Sequence, residues 1–354
     1  MAKRTTYNQL DKAVLKNSGA AASLMATMRG ERKMFRFDSV DAAAVFMARE
    51  LDYVKSKSYD KLYPQFTALN TFPVNSDTNP GAESITFYTY DMEGFAKIID
   101  NYSTDLPRAD VNGVPHSVPV KTLGVSYGYS NQEMRASRMS GKSLDARKAE
   151  SARFQIDNAT NKIAWAGDDA NGLLGVLSTG QNIPVMNLTA GATSGAISWE
   201  GKTADEIVAD VTAMYGQVSR TTMDVERPDT LVLPTDVYTV LSLKRLGDTE
   251  ATVLSYIKDH APYLKEIISA AELNINAFTT NPYAEGAPGV ADNAGQAVAL
   301  LFTNDPDKLE INIPMAYTQN PAQPRNLETL IPCETRVAGT IVFYPLSALV
   351  VVGV

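Results

Sequence analysis

Gly124-Val-Ser126-Tyr-Gly128 sets a serine between two glycines in the spacing of a nucleophile elbow, with His260 downstream as its formal base. That chemistry needs the serine on a strained turn between a strand and a helix, where its hydroxyl stands clear of the sheet. Here Leu123, Val125, Tyr127 and Tyr129 alternate with smaller residues, so Ser126 is expected within a strand, facing away from the bulky side chains. A second pattern, Ala196-Ile-Ser-Trp-Glu-Gly-Lys202-Thr203, fits a permissive phosphate-binding loop. Such a loop follows a buried strand and uses small residues, so that backbone amides wrap the phosphates. Thr193-Ser-Gly195 is no strand, and Trp199 with Glu200 brings bulk and negative charge to the place where phosphate oxygens would sit. The segment reads instead as a loop leading to Thr203 as a helix cap.

Metal and redox chemistry have little to work with. The chain holds two histidines, His116 and His260, and one cysteine, Cys333. A transition-metal site draws on just these residue types. The carboxylate pairs Asp168-Asp169 and Asp305 with Asp307 lie beside turn residues and read as solvated, and no dinucleotide fingerprint occurs. The expectation is therefore a protein that is not an enzyme, with no catalytic residue, no cofactor and no metal. Cys333 cannot form an intrachain disulfide and is expected as a small apolar residue in a strand.

Charge is unevenly placed. Up to Phe37 there are eight basic residues against two acidic ones, a net +6, while the whole chain of 354 residues carries −8, which leaves −14 for the remainder. A basic arm on an acidic body favours contact between the arm of one copy and the body of another, or with a polyanion. The acidic body argues against sequence-specific reading of nucleic acid. No window approaches the ~20 apolar residues that cross a bilayer, and the polar start has no signal-peptide core, so a cytosolic product without a membrane partner is expected.

The elements that would position these residues read as follows. Val45, Met47, Leu51 and Val54 predict a helix over Asp38–Val54, and residues 63–83, with three prolines, an irregular connector. Ile85–Met92 and Val118–Tyr129 are rich in β-branched and aromatic residues and predict two strands. The polar, turn-rich Asp100–Ser117 between them predicts the open tip of a long antiparallel hairpin. Ser130–Glu133 matches a capping box, Gly141 interrupts the helix it starts, and Ser143 can cap a longer helix to Ala166 with Ala149, Ala152, Ile156, Ala159 and Ile163 on one stripe. Thr203–Glu206 is a second capping box, before a helix with Ile207, Val208, Val211, Tyr215 and Val218 on one face. Further on, a strand at Thr230–Leu233 and helices near 235–245 and 249–259 are expected. Strands are expected near 265–269, 297–302 and 308–313 and over Leu327–Val337 and Gly339–Val352. Helices and strands interleave without a regular βαβ period, which predicts an α+β fold.

Four phrases, Arg108-Ala-Asp-Val-Asn-Gly-Val114, Ser143-Leu-Asp-Ala-Arg-Lys-Ala-Glu150, Ala164-Trp-Ala-Gly-Asp168 with Gly172-Leu-Leu-Gly-Val176, and Gly339-Thr-Ile-Val-Phe-Tyr-Pro-Leu346, carry a resemblance. As an ordered set across nearly the whole chain, they and the element order resemble the major capsid proteins of tailed phages of the Hong Kong 97 type, a fold shared with encapsulin compartments. The resemblance implies an N-terminal arm over 1–60 and an E-loop hairpin over 84–130. It implies a peripheral lobe with its spine helix over 131–202, an axial lobe over 203–315, and C-terminal strands over 316–354 that return to the peripheral lobe. It implies a self-assembling icosahedral shell of pentamers and hexamers enclosing double-stranded DNA without sequence reading, the alternative being an encapsulin-like shell around cargo protein. Scaffold, portal or decoration proteins are possible partners, and the location would be the virion capsid after synthesis in the host bacterial cytoplasm. A long cleaved scaffolding segment, present in some relatives, has no counterpart here, and no motif identifies crosslinking residues. On this reading Ile85, Phe87, Val125 and Tyr127 form apolar rows with no home in their own subunit. A serine hydrolase built on Ser126 and a tail or adhesion component are the rival classes.

Overall fold

The computed structural model describes residues 65–99, 106–140, 145–247, 250–274 and 297–354. The expected arm over 1–60, with its helix at Asp38–Val54, lies outside them, as do Gly141 and the Ser143 cap. Over the proline-rich connector the described chain forms only a single helical turn, α1 (Ala68–Thr71), and a two-residue strand, β1 (Val74–Asn75).

The next three strands correct the expected hairpin. Strand β2 (Ser84–Glu93) pairs antiparallel with β3 (Asp110–Pro119), in register from Ser84 opposite Pro119 to Glu93 opposite Asp110. The stretch 110–117, expected as an open tip, is therefore strand. Its turn formers are tolerated because a two-stranded ribbon leaves every second amide facing solvent, where Pro115 loses no ladder bond. Strand β4 (Lys121–Ser130) leaves the ribbon after Val120 and pairs with a strand two hundred residues later.

Helices α2 (Asn131–Ser140) and α3 (Asp145–Ala166) follow. The first capping box forms as read: the Ser130 amide donates to Glu133 Oε2 and the Glu133 amide to Ser130 Oγ, both at 3.1 Å. The stripe on α3 also holds, with Ala152, Ile156 and Ile163 buried and Ala149 and Ala159 half-buried. After α3 the chain turns back on itself through β5 (Gly167–Asp168) and β6 (Leu173–Leu174) before reaching β7 (Val185–Asn187). Glycines are required at this reversal. A Cβ on Gly167, whose φ is +77°, would lie 2.6 Å from the Gly175 amide nitrogen, so the two backbones touch.

The second capping box opens α4 (Ala204–Thr222), with Ile207, Val211, Met214 and Val218 buried. Its Glu206 carboxylate accepts amide protons from Thr203 (2.8 Å), Thr193 (2.7 Å) and Ser194 (3.1 Å), tying the preceding loop to the helix start. The Thr203 and Thr193 amides, then the Ser194 hydroxyl, hold the Glu206 pKa far below the usual carboxylate range. A depressed folded pKa contributes stability that is fully present above the unfolded value of about 4.3 and is lost as pH falls through the folded one. In urea titrations Glu206→Gln is therefore expected to unfold more easily than the parent at pH 6. The gap should narrow on acidification below about pH 4, and a gap that is constant with pH would contradict this account.

The remainder supplies β8 (Thr230–Pro234), α5 (Thr235–Leu243), α6 (Val253–His260), β9 (Glu266–Ala270), β10 (Val298–Phe302) and β11 (Leu309–Asn312). Then come β12 (Met315–Gln319), β13 (Gln323–Arg325), β14 (Glu328–Val337), β15 (Gly339–Val342) and β16 (Ala348–Val352). The expected strand over Gly339–Val352 is thus two strands, divided by a turn at Pro345–Ser347. They enter different sheets, and the short β12 and β13 have no counterpart among the strands expected from the sequence.

The largest sheet has the order β7-β16-β10-β8-β9. Strands β16, β10 and β8 are buried along their whole length, as continuous Val/Leu/Ala runs require when both faces are covered. One face, with Leu300, Phe302 and Val350, packs on Trp165 of α3 and on Phe72; the other, with Leu301, Leu349 and Val351, packs on α4, α5 and α6. A second sheet places β14 between β4 on one side and β12 and β13 on the other, and α3 lies on it. A third runs β1-β11-β15. The architecture is mixed helix and sheet, the α+β class expected from the sequence.

Candidate assembly interface

The catalytic-looking patterns resolve into structural parts. Ser126 lies in the middle of β4 opposite Pro332 of β14, in a regular ladder and not on a strand-to-helix turn. His260 ends α6, where its ring stacks on Tyr256 at 4.2 Å and its Nδ1 meets the Tyr256 carbonyl at 3.0 Å. In the phosphate-loop-like segment, the Lys202 side chain is 1% exposed and its Nζ is 2.7 Å from Asp210 Oδ2, which also accepts the Trp199 indole N–H at 2.9 Å. Buried and paired with that carboxylate, the ammonium does not present itself at a surface where a phosphate could bind. Asp168 accepts from the Asn171 amide and Asp305 from the Asp307 backbone, both local turn bonds. Among the described residues no three His, Cys, Asp or Glu side chains converge as metal ligands, and no helix is long and apolar enough to cross a membrane.

Cys333 is buried in β14 as expected, and Tyr317 donates its hydroxyl proton to the sulfur at 3.1 Å. Burial, reinforced by that bond, pushes the Tyr317 phenol up to about 12.

What the structure leaves open is the ribbon β2–β3. Its root is fastened. The Phe87 ring meets Phe343 edge-on at 4.9 Å and stacks on His116 at 5.2 Å, with Ile85 and Val118 half-buried beside it. Beyond the root, one face presents Tyr88, Tyr90 and Met92 opposite Pro115, Gly113 and Val111. The two tyrosine rings are stacked at 6.4 Å, and Tyr90 lies across Gly113 so closely that a Cβ there would come within 3.0 Å of its ring. Exposure rises outward to 88% at Met92 and 99% at Ile98, with Phe95, Ile99 and Leu106 also exposed.

This relocates the unpartnered row expected from the sequence. Val125 and Tyr127 pack against Ala152 and Ile156 of α3, and Ile85 and Phe87 are part of the fastened root. The residues without a home are the distal ones. A signal for them was present: Ile85, Phe87 and Thr89 alternate with Tyr88, Tyr90 and Met92, so both faces of β2 are apolar. A two-stranded ribbon can lay only one face on its own body. Contiguous exposed apolar surface of this kind marks an interaction site.

A family model described as Major capsid protein matches residues 94–354. The chain belongs to the major capsid protein family. Among solved structures it is similar to the capsid of Myoviridae phage XM1, with a TM-score of 0.72 at 17% identity, covering 88% of this chain and 99% of that one. It is also similar to the capsid of the empty GTA particle (TM-score 0.56, 14% identity, 88% and 98% covered). A further likeness is to Mycobacterium phage Ogopogo (0.55, 12%, 89% and 98%). At such identities the likeness is one of fold, and the fold is the Hong Kong 97-like capsid fold. A comparison with curated proteins gave no match. The family and these neighbours favour the tailed-phage major capsid protein over the encapsulin-like alternative.

Proposed function

We propose that identical copies of this subunit close into an icosahedral shell of pentamers and hexamers that encloses the double-stranded DNA of a tailed phage, a structural and not a catalytic role. The observation that carries the proposal is the exposed aromatic face of the ribbon, which gains a buried surface only when it lies across a neighbour. Closed symmetry then turns many modest contacts into one stable particle. In the proposed layout residues 1–60 are the arm, 84–130 the E-loop region with β2–β3 as its projecting part, 131–202 the peripheral lobe with α3 as spine, and 203–315 the axial lobe. Residues 316–354 return to the peripheral lobe, except that β16 joins the five-stranded sheet beside β10. DNA is enclosed without sequence reading, as suits an acidic body. Scaffold, portal and decoration proteins are the further partners proposed, with synthesis in the host cytoplasm.

Electron microscopy of the expressed protein tests this. Hollow round particles of uniform diameter are expected, and particles from infected cells should hold nuclease-protected DNA. A subunit that stays monomeric at every concentration and with every phage co-factor protein, or that forms only tubes, would end the proposal. Particles filled with an enzyme in place of DNA would return the encapsulin-like alternative.

A further inference from the structure

Three carboxylates are buried among the described residues: Glu226, Asp229 and Glu310. Glu226 pairs with Lys308 and Asp229 with Lys265, each by a short contact between ammonium and carboxylate. Glu310, 7% exposed on β11, has no basic partner among the described residues. Its contacts are to two neutral amides: Asn75 Nδ2 donates to Oε2 at 2.8 Å and Asn312 Nδ2 to Oε1 at a long 3.4 Å. A buried carboxylate without a positive partner either gives up its charge or holds a cation.

A second, independent observation lies beside it. Asn312 is 1% exposed, and its Oδ1 meets no hydrogen-bond partner among the described residues. Residues 310 and 312 are two apart on one strand and share a face of the sheet, and Asn75 of β1 stands opposite Asn312. Asn75 is fixed as a donor, because its own Oδ1 accepts the Asp77 amide proton at 2.8 Å. Asn312 is not fixed in this way. A half-turn of its amide exchanges oxygen and nitrogen in place and would set Oδ1 beside Glu310 Oε1. The 3.4 Å separation suits two oxygens on one ion of calcium or sodium size. Ligands at about 2.3–2.6 Å and at right angles stand about 3.3–3.7 Å apart.

We infer that Glu310 Oε1 and Asn312 Oδ1 bind a hard monovalent cation, sodium or potassium, on the buried face of β11. Oxygen donors select a hard ion. Charge selects a monovalent one: a single carboxylate neutralises it, whereas a dication would leave a positive charge buried and uncompensated. Asn75 is half-buried, which keeps the group near solvent on that side. Because Asn75 holds the same carboxylate, the ion also steadies β1, the last strand before the ribbon.

Calorimetry of the full chain near neutral pH tests this, in sodium, potassium, choline or calcium chloride at one ionic strength. Sodium or potassium is expected to raise the melting temperature above that in choline by roughly 2–4 °C, the shift for an ion at about ten times its dissociation constant. Glu310→Gln keeps the shape without the charge and is expected to melt at one temperature in sodium, potassium and choline. Equal melting of the parent in these three salts would overturn the inference and mean that a proton neutralises Glu310. So would a rise confined to calcium, or a gain in sodium or potassium that Glu310→Gln retains. If Glu310→Gln does not fold, Asn312→Ala serves in its place: it is expected to lose the gain, and keeping it would equally overturn the inference.

Discussion

Replacing Tyr88, Tyr90 and Met92 together by serine is expected to abolish particles while leaving the subunit folded. All three side chains are exposed in the isolated chain, so their loss removes no intrachain core. Surface changes of this kind shift stability by about 0.5 kcal/mol each way, which for a chain of this size moves the melting temperature by roughly 1–2 °C. Association is affected far more. Burying each such side chain is worth about 1.5–3 kcal/mol, so three together correspond to roughly three orders of magnitude or more in the affinity of one subunit for the next. Light scattering and electron microscopy read the first effect, calorimetry the second. Shells forming at parental yield would show that this face is not where subunits meet.

The second large effect is intramolecular. Asp210→Ala leaves the buried Lys202 ammonium with no carboxylate and the Trp199 indole N–H with no acceptor. Removing one partner of a buried ion pair costs about 3–5 kcal/mol, since the remaining charge stays desolvated. At about 2–4 °C per kcal/mol, the melting temperature should drop by roughly 6–20 °C. Replacing both partners, as in Lys202→Met with Asp210→Leu, removes the stranded charge and is expected to recover most of the loss. Calorimetry of the three proteins decides the matter. Equal losses in the single and double variants would mean that packing around Trp199, and not charge, is what the pair protects.

The two capping boxes were legible in the sequence because they are local: Ser130 with Glu133 and Thr203 with Glu206 each satisfy one another within a single turn. The α3 stripe was legible for the same reason. Strand pairing was not. Lys121–Ser130 alternates as a strand should, but its partner, Glu328–Val337, lies two hundred residues away, and nothing in either segment names the other. The nearer Asp110–Pro119 does not read as a strand because Asn112-Gly113 and Pro115 are turn formers, and a free-standing ribbon accepts them where a covered sheet would not. Taking Val118–Tyr129 as the second strand of the ribbon likewise puts Val125 and Tyr127 on the projecting surface. Once β4 is recognised as part of the body, they become the floor under α3, and the open surface moves outward to Tyr88, Tyr90 and Met92.

Strand β16 lies between β7 and β10 in the five-stranded sheet, so the sheet stays split until residues Ala348–Val352 exist. At translation rates of about 5–20 residues per second, β7 waits roughly 8–30 s for the strand that will flank it. A nascent subunit therefore reaches its finished form only after Val352 has left the ribosome. On the assembly proposed above, a chain cut short of Ala348 lacks the strand that joins β7 to β10 and is expected to be unfit for a shell.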